Sequence, residues 1–162
     1  MNQDVKLLTT TLVFLRRDDE VLLAMKKRGH GEGHWNGAGG KIDPGETIEQ
    51  AMVRECQEEI GVTPTAWEQI GEADFYQLHR GEPCKNTVHV YICTGWTGEP
   101  VESEEMAPQW FKLADVPYDR MWPDSIHWLP QLFAGQKIRG SFRYNDDNVL
   151  QTHEITEVAE FA

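Results

Sequence analysis

The stretch TIEQAMVRECQEEI, residues 47–60, constrains this chain more than any other part of it. Ile48, Ala51, Met52, Cys56 and Ile60 recur at close to helical spacing, which predicts an amphipathic helix closed by Gly61 as its C-cap. Thr47 and Gln50 have the spacing of a capping box, and Glu46 and Glu49 fall near the positive end of the helix dipole. Away from the apolar stripe, Glu55, Glu58 and Glu59 stand at i, i+3 and i+4, with Arg54 one turn before Glu58, so three carboxylates are expected on one face. Such a cluster repels itself unless something positive compensates it.

A solvated acidic face is the plain reading of that cluster. Three features favour a metal and phosphate site instead. The apolar stripe means that the helix is docked. A glycine-dense segment, residues 29–40, holds six of the chain's fourteen glycines immediately before it, reads as too irregular for strand or helix, and can bring backbone close to a ligand. All-oxygen ligands suit a hard cation such as Mg²⁺.

Around this helix the chain alternates strand-like runs with turns. Residues 7–15 and 21–25 read as a hairpin turning at Arg17-Asp18-Asp19; further strands are expected over 66–78, 87–96 and 109–113, divided by Arg80-Gly81-Glu82-Pro83 and Gly98-Glu99-Pro100. A second helix is predicted over 124–134, and residues 138–144 and 149–158 form a closing hairpin around Asn145-Asp146-Asp147-Asn148. The class is α+β. At 162 residues, 40% of them hydrophobic, residues 1–162 are expected to fold as a single domain.

Composition excludes several functions. A net charge of −12 disfavours a nucleic-acid polymer as partner, because it repels the phosphate backbone. A small phosphate ligand arriving with Mg²⁺ is compatible with it. No run of about 18 apolar residues is present and Met-Asn-Gln-Asp has no signal-peptide character, so no membrane is implied and a soluble, cytoplasmic protein is expected. Cys56, Cys84 and Cys93 lack paired spacing and read as buried thiols. The six histidines, His30, His34, His79, His89, His127 and His153, form no metal-ligand pair, and His30 and His34 are placed near phosphate. Lys26, Lys27, Arg28 and Lys41 flank the glycine segment, where they either offset the charge of a phosphate ligand or serve as plain surface charge.

The segment from Gly40 to Val62 matches the Nudix box Gly-x5-Glu-x7-Arg-Glu-U-x-Glu-Glu-x-Gly-U, where U is bulky and apolar. Gly40, Glu46, Arg54, Glu55, Glu58, Glu59, Gly61 and Val62 fill it, with Cys56 at an apolar position. The chain therefore resembles the Nudix hydrolases, and the resemblance implies a Nudix fold: an α/β/α sandwich with a mixed central sheet. It also implies Mg²⁺-dependent pyrophosphohydrolysis, with Mn²⁺ as a substitute. Arg54, Glu55, Glu58 and Glu59 would be catalytic; Gly39 through its carbonyl, Glu55, Glu58, Glu59 and the distant Glu105 would hold metal. Glu58 and Glu59 remain joint candidates for the base. Glu46 reads as a brace at the helix start.

Outside the box, MKKRGHGEGHWNGAGGK, PVESEEMAPQWF and MWPDSIHW resemble the MutT-like members that act on oxidised purine nucleotides such as 8-oxo-dGTP. This resemblance implies substrate contacts at Thr11, Lys26, Asn36, Trp122 and Asp124, with Trp122 stacking on the base, and a monomer that takes a small nucleotide. Its function would be nucleotide-pool sanitation linked to DNA repair. His30 and Ala38 stand where such relatives carry phenylalanines, and Ser125 where they carry a second aspartate, so the base preference is left open. Hydrolysis of ADP-ribose or a dinucleoside polyphosphate is an alternative, as is a nucleotide-sensing module without turnover.

Overall fold

The computed structural model describes residues 5–79 and 81–161. Residues 1–4 and Arg80, both used in the sequence reading, lie outside them, as does the side chain of His79. Strands β1 (Lys6–Arg17) and β2 (Glu20–Lys26) are joined by the expected turn, in which Asp18 adopts a positive φ of 49°. They pair only at Arg16↔Val21 and Arg17↔Glu20 before diverging. Beyond that point β1 runs parallel to β5 (Glu82–Thr97), from Lys6↔Cys84 to Leu15↔Cys93.

The glycine-dense segment is not wholly irregular. Trp35–Asn36 forms a short β3 against Met25 and Ala24 of β2, a non-local pairing that no local pattern announces. After α1 (Ile48–Ile60) come β4 (Thr63–His79), antiparallel to β5, and β6 (Met106–Lys112), which pairs with β2. Helix α2 (Ser125–Phe133) leads into β7 (Ile138–Tyr144), parallel to β4, and β8 (Leu150–Glu157) closes the edge. The strand order is β3-β2-β1-β5-β4-β7-β8, with β6 beside β2. It is a mixed sheet, as the α+β reading requires. Leu113, expected at the end of a strand, opens a 3₁₀ turn instead.

Period-two alternation gives each face of the sheet its own core. Val13, Leu15, Tyr91 and Cys93 pack with Met52, Cys56 and Ile60 of α1. Phe14, Val90, Ala73 and Phe142 pack with Trp128, Leu129 and Leu132 of α2. The sheet is thus sandwiched between the helices. Truncating a side chain as enclosed as Trp128 would cost about 3–5 kcal/mol. All three cysteines are free and buried within these cores or at the sheet.

Candidate active site

The chemistry-bearing end is built from α1 and the loop before it. Thr47 caps α1 as anticipated: its hydroxyl accepts from the Gln50 amide while the Gln50 side chain accepts from the Thr47 amide. Gly61 ends the helix at φ 74°, a conformation that glycine adopts without a steric penalty. The helix therefore has one register, which fixes where its carboxylates point.

Arg54 is the hub of that face. It forks onto Glu46 at 2.8 and 2.9 Å, and donates to Glu55 at 3.0 Å, to Glu58 at 3.2 Å and to the Lys41 carbonyl at 3.0 Å. Glu46 also accepts from the Asp43 amide, and these bonds, Arg54's first, hold its carboxyl below the usual range. Charge-assisted pairs of this kind fix geometry. The loop and the helix are clamped together through one guanidinium.

Glu55 and Glu59 meet on the inner side. Glu59 is only 5% exposed; its carboxyl shares a hydrogen bond with Glu55 and accepts from the Gly39 amide. Burial, then the Glu55 charge, pushes Glu59 well above the ordinary carboxylate range, with Lys26 and the Gly39 amide pulling the other way. Glu58 does not join them: its side chain is 57% exposed and turned to Arg54. The i, i+3, i+4 spacing is present, but Arg54 holds the middle carboxylate outward.

The facing wall is backbone. Thr11 donates its amide to Gly40 at 2.9 Å, and Val13 and Ala38 exchange amide bonds at 2.7 and 3.1 Å, stitching residues 38–40 onto β1. A Cβ at Gly39 would sit 1.9 Å from the Thr11 carbonyl oxygen, and one at Gly40 would sit 2.6 Å from the Glu55 carboxyl carbon. Only glycine permits the approach at residue 39, where the neighbour is backbone, whereas a side chain at residue 40 would displace the Glu55 carboxyl. Two enclosed carboxyls facing bare backbone form an oxygen donor set that repels itself without a cation, so the residues fit a hard divalent ion. Among the described residues no three His, Cys, Asp or Glu side chains already form a complete ligand group.

Glu105 lies on the rim at 45% exposure, 3.9 Å from Lys26 and 3.3 Å from Arg28. Lys26 itself lines a cavity of about 250 Å³, together with Glu59, Gly39, Gly40 and Thr11. Thr11 is buried, with its hydroxyl 3.5 Å from the backbone of Gly40.

The same cavity is lined by Asn36, Trp122, Asp124 and Ser125. His30 and His34 line it too, and both rings stack on Trp122, with centroids 5.0 and 4.9 Å away. Aromatic contact with the indole holds them there, and burial followed by Lys26 and His34 pushes His30 below the usual imidazole range. Asn36 turns its side-chain oxygen to the Gly37 amide at 2.9 Å, which leaves its NH₂ as a donor. Asp124, expected inside α2, occupies the N-cap position without making a side-chain cap bond.

The floor holds polar residues that the sequence reading passed over. Thr10 donates to Asn86 at 3.0 Å, and Gln77 and Tyr144 also line the cavity. Strand alternation carries the signal: Phe142 and Tyr144 share one face of β7, and Phe75 and Gln77 share one face of β4. Ala38, by contrast, is buried in the α1-side core.

Comparison with known proteins agrees with this arrangement. The NUDIX domain matches residues 6–132. The chain is 43% identical over 150 residues to an oxidized purine nucleoside triphosphate hydrolase of Danio rerio, covering 93% of this chain and 95% of the relative. It is 40% identical over 151 residues to the Mus musculus protein of the same description, covering 93% and 96%. Among solved structures, the mutator MutT protein from Bacillus halodurans superposes with a TM-score of 0.78 at 25% identity, covering 91% of this chain and 97% of that one. With the box, the sheet and the Arg54 clamp all in place, the chain belongs to the Nudix hydrolase family.

Proposed function

We propose that this Nudix hydrolase cleaves oxidised purine nucleoside triphosphates such as 8-oxo-dGTP between the α and β phosphates, releasing the monophosphate and pyrophosphate, and so clears the nucleotide pool of damaged precursors. The observation that carries the reading is one cavity lined both by Glu59, Gly39 and Gly40 and by Trp122, Asn36 and Asp124. A triphosphate and a purine base need those two chemistries at opposite ends of one ligand. The high identity to hydrolases described as acting on oxidised purine nucleoside triphosphates supports the same choice.

Mg²⁺ held by Glu55, Glu59 and the Gly39 carbonyl, with Glu58 and Glu105 recruited from their ion pairs with Arg54 and with Lys26 and Arg28, would supply charge neutralisation for the phosphate oxygens and acidify the attacking water. The rest falls to the chain. A carboxylate of Glu58 or Glu59 accepts the proton of that water as it attacks phosphorus. Arg54 orients Glu55 and Glu58 and keeps the loop against the helix. Lys26, within the cavity, offsets phosphate charge, while Thr11 positions the Gly40 backbone. Trp122 stacks on the base, and Asn36 and Asp124 read its edge.

The test compares kcat/KM for 8-oxo-dGTP, dGTP and ADP-ribose in Mg²⁺, with the products identified. Preference for 8-oxo-dGTP with pyrophosphate released is the expected result. Preference for ADP-ribose, or inorganic phosphate as the product, would refute it.

A further inference from the structure

Asp124 sits where an aspartate ordinarily caps its own helix, yet its carboxylate makes no cap bond to α2. It is 6% exposed and both of its oxygens are taken up by other side chains. Trp128, one turn on, donates its indole N–H to Oδ2 at 3.0 Å. The Tyr144 hydroxyl, reaching across from the end of β7, donates to Oδ1. The same hydroxyl oxygen accepts the Asp124 backbone N–H at 3.0 Å. That third bond gives the hydroxyl a direction, because an oxygen already receiving an N–H turns its own proton to the remaining acceptor, Oδ1. A shift in the β7·β8 register between Arg143 and Tyr144 lies at the point from which the ring departs.

We propose that Tyr144 is a positioning residue that determines base preference: together with Trp128 it holds the Asp124 carboxylate as a hydrogen-bond acceptor, so the pocket favours purines of the guanine type over those of the adenine type. The proposal rests on the reading of Asp124 as a contact to the base edge. A guanine edge offers N1–H and a 2-amino group side by side, two donors for a carboxylate. An adenine edge offers one amino group beside the lone pair of N1, which a carboxylate repels and a carboxylic acid complements. Two donors fixed on Asp124 favour its charged form and hence the guanine edge. Ser125, buried beside it, adds a hydroxyl but no charge.

Burial is the larger effect and leaves the Asp124 carboxyl above its usual range; the bonds from Tyr144 and Trp128, then its own backbone N–H and the charge of His127, bring it part of the way back down. Burial and Asp124 keep the Tyr144 phenol protonated far above neutrality, so it remains a donor. His127 stacks on His153 of β8 with centroids 4.2 Å apart, and His30, His34 and Lys26 are the other titratable groups on this side of the cavity. Of the two side-chain donors, the phenol is the one that can be deleted without disturbing a ring, because phenylalanine preserves the edge contact of residue 144 with Trp122 at 6.0 Å.

The experiment measures kcat/KM for 8-oxo-dGTP and 8-oxo-dATP in Mg²⁺ from pH 6 to 9.5, for the parent and Tyr144→Phe. The ratio favouring 8-oxo-dGTP should fall about 10-fold at pH 7, mainly through KM, as expected for loss of a hydrogen bond to a charged group. It should return toward the parent ratio at high pH, where Asp124 ionises without help. Equal losses for both nucleotides with an unchanged pH profile would overturn the proposal. A second readout, ¹³C NMR titration of the Asp124 carboxyl, should move upward in pH in Tyr144→Phe, and an unmoved titration would overturn it as well. If the parent hydrolyses neither nucleotide, it is the substrate reading that fails, and the Asp124 titration decides the role of Tyr144 by itself.

Discussion

Replacing Glu59 by Gln should make the protein more stable and less active, and the gain should depend on pH. Glu59 is 5% exposed, lies against Glu55 and has its carboxyl pushed upward by burial and by that neighbour. Because the folded protein binds the Glu59 proton more tightly than the unfolded chain does, the stability this carboxyl contributes is fully present below the ordinary glutamate range. It is lost as pH rises toward the raised folded value. Above that range, in EDTA, the fold carries either a poorly compensated charge or a proton that the unfolded chain would release, at a cost of about 3 kcal/mol. An amide of the same shape has no such liability. For a chain of 162 residues the Glu59→Gln variant should therefore melt about 6–12 °C above the parent at pH 8 in EDTA and within about 2 °C of it at pH 4.5. Saturating Mg²⁺ should raise the parent more than the variant and narrow the difference. The assay is scanning calorimetry across pH, run beside kcat measurements in which the variant loses about 10²–10⁴-fold. A variant less stable than the parent at pH 8 in EDTA would refute the reasoning, and turnover equal to the parent's would remove Glu59 from the chemistry.

Other perturbations give equally direct outcomes. Arg54→Gln releases Glu46, Glu55, Glu58 and the Lys41 carbonyl together, so kcat/KM should fall about 10–100-fold, and Arg54→Gln combined with Glu46→Gln should destabilise by less than the sum of the single changes in denaturant titrations. Gly40→Ala drives a methyl group into the Glu55 carboxyl, and kcat should drop at least about 10-fold with the helix content by circular dichroism unchanged; full activity would contradict the close approach. Trp122→Ala removes the indole proposed to stack on the base and should weaken substrate binding about 10–100-fold in KM with kcat far less affected.

Local interactions were legible and lateral ones were not. The Thr47–Gln50 box and Gly61 are written within a few residues of the helix they bound, so α1 could be read to within a residue. The same spacing predicted three convergent carboxylates, yet Glu58 turns outward because Arg54 is already anchored by Glu46 and the Lys41 carbonyl, partners that lie across a loop. Trp35–Asn36 became a strand because β2 offered an edge, and Pro108 was taken into β6 although proline cannot donate to a ladder. The Tyr144–Asp124 bond joins residues 20 positions apart across the gap between α2 and β7. Nothing in the Met-Trp-Pro-Asp stretch announces it.

The cavity lining is built from two different materials, and this bears on how such a protein can change over time. The lining proposed for the phosphates is largely main chain, riveted to β1 through the amides of Thr11, Val13 and Ala38 and backed by a helix with a fixed register. The lining proposed for the base is side chain, contributed by residues 122–128, β7 and the glycine segment. Substitutions that remodel the second need not disturb the first. Lineages sharing one hydrolytic engine can therefore drift from one damaged base to another by exchanging a handful of residues, without passing through an inactive ancestor.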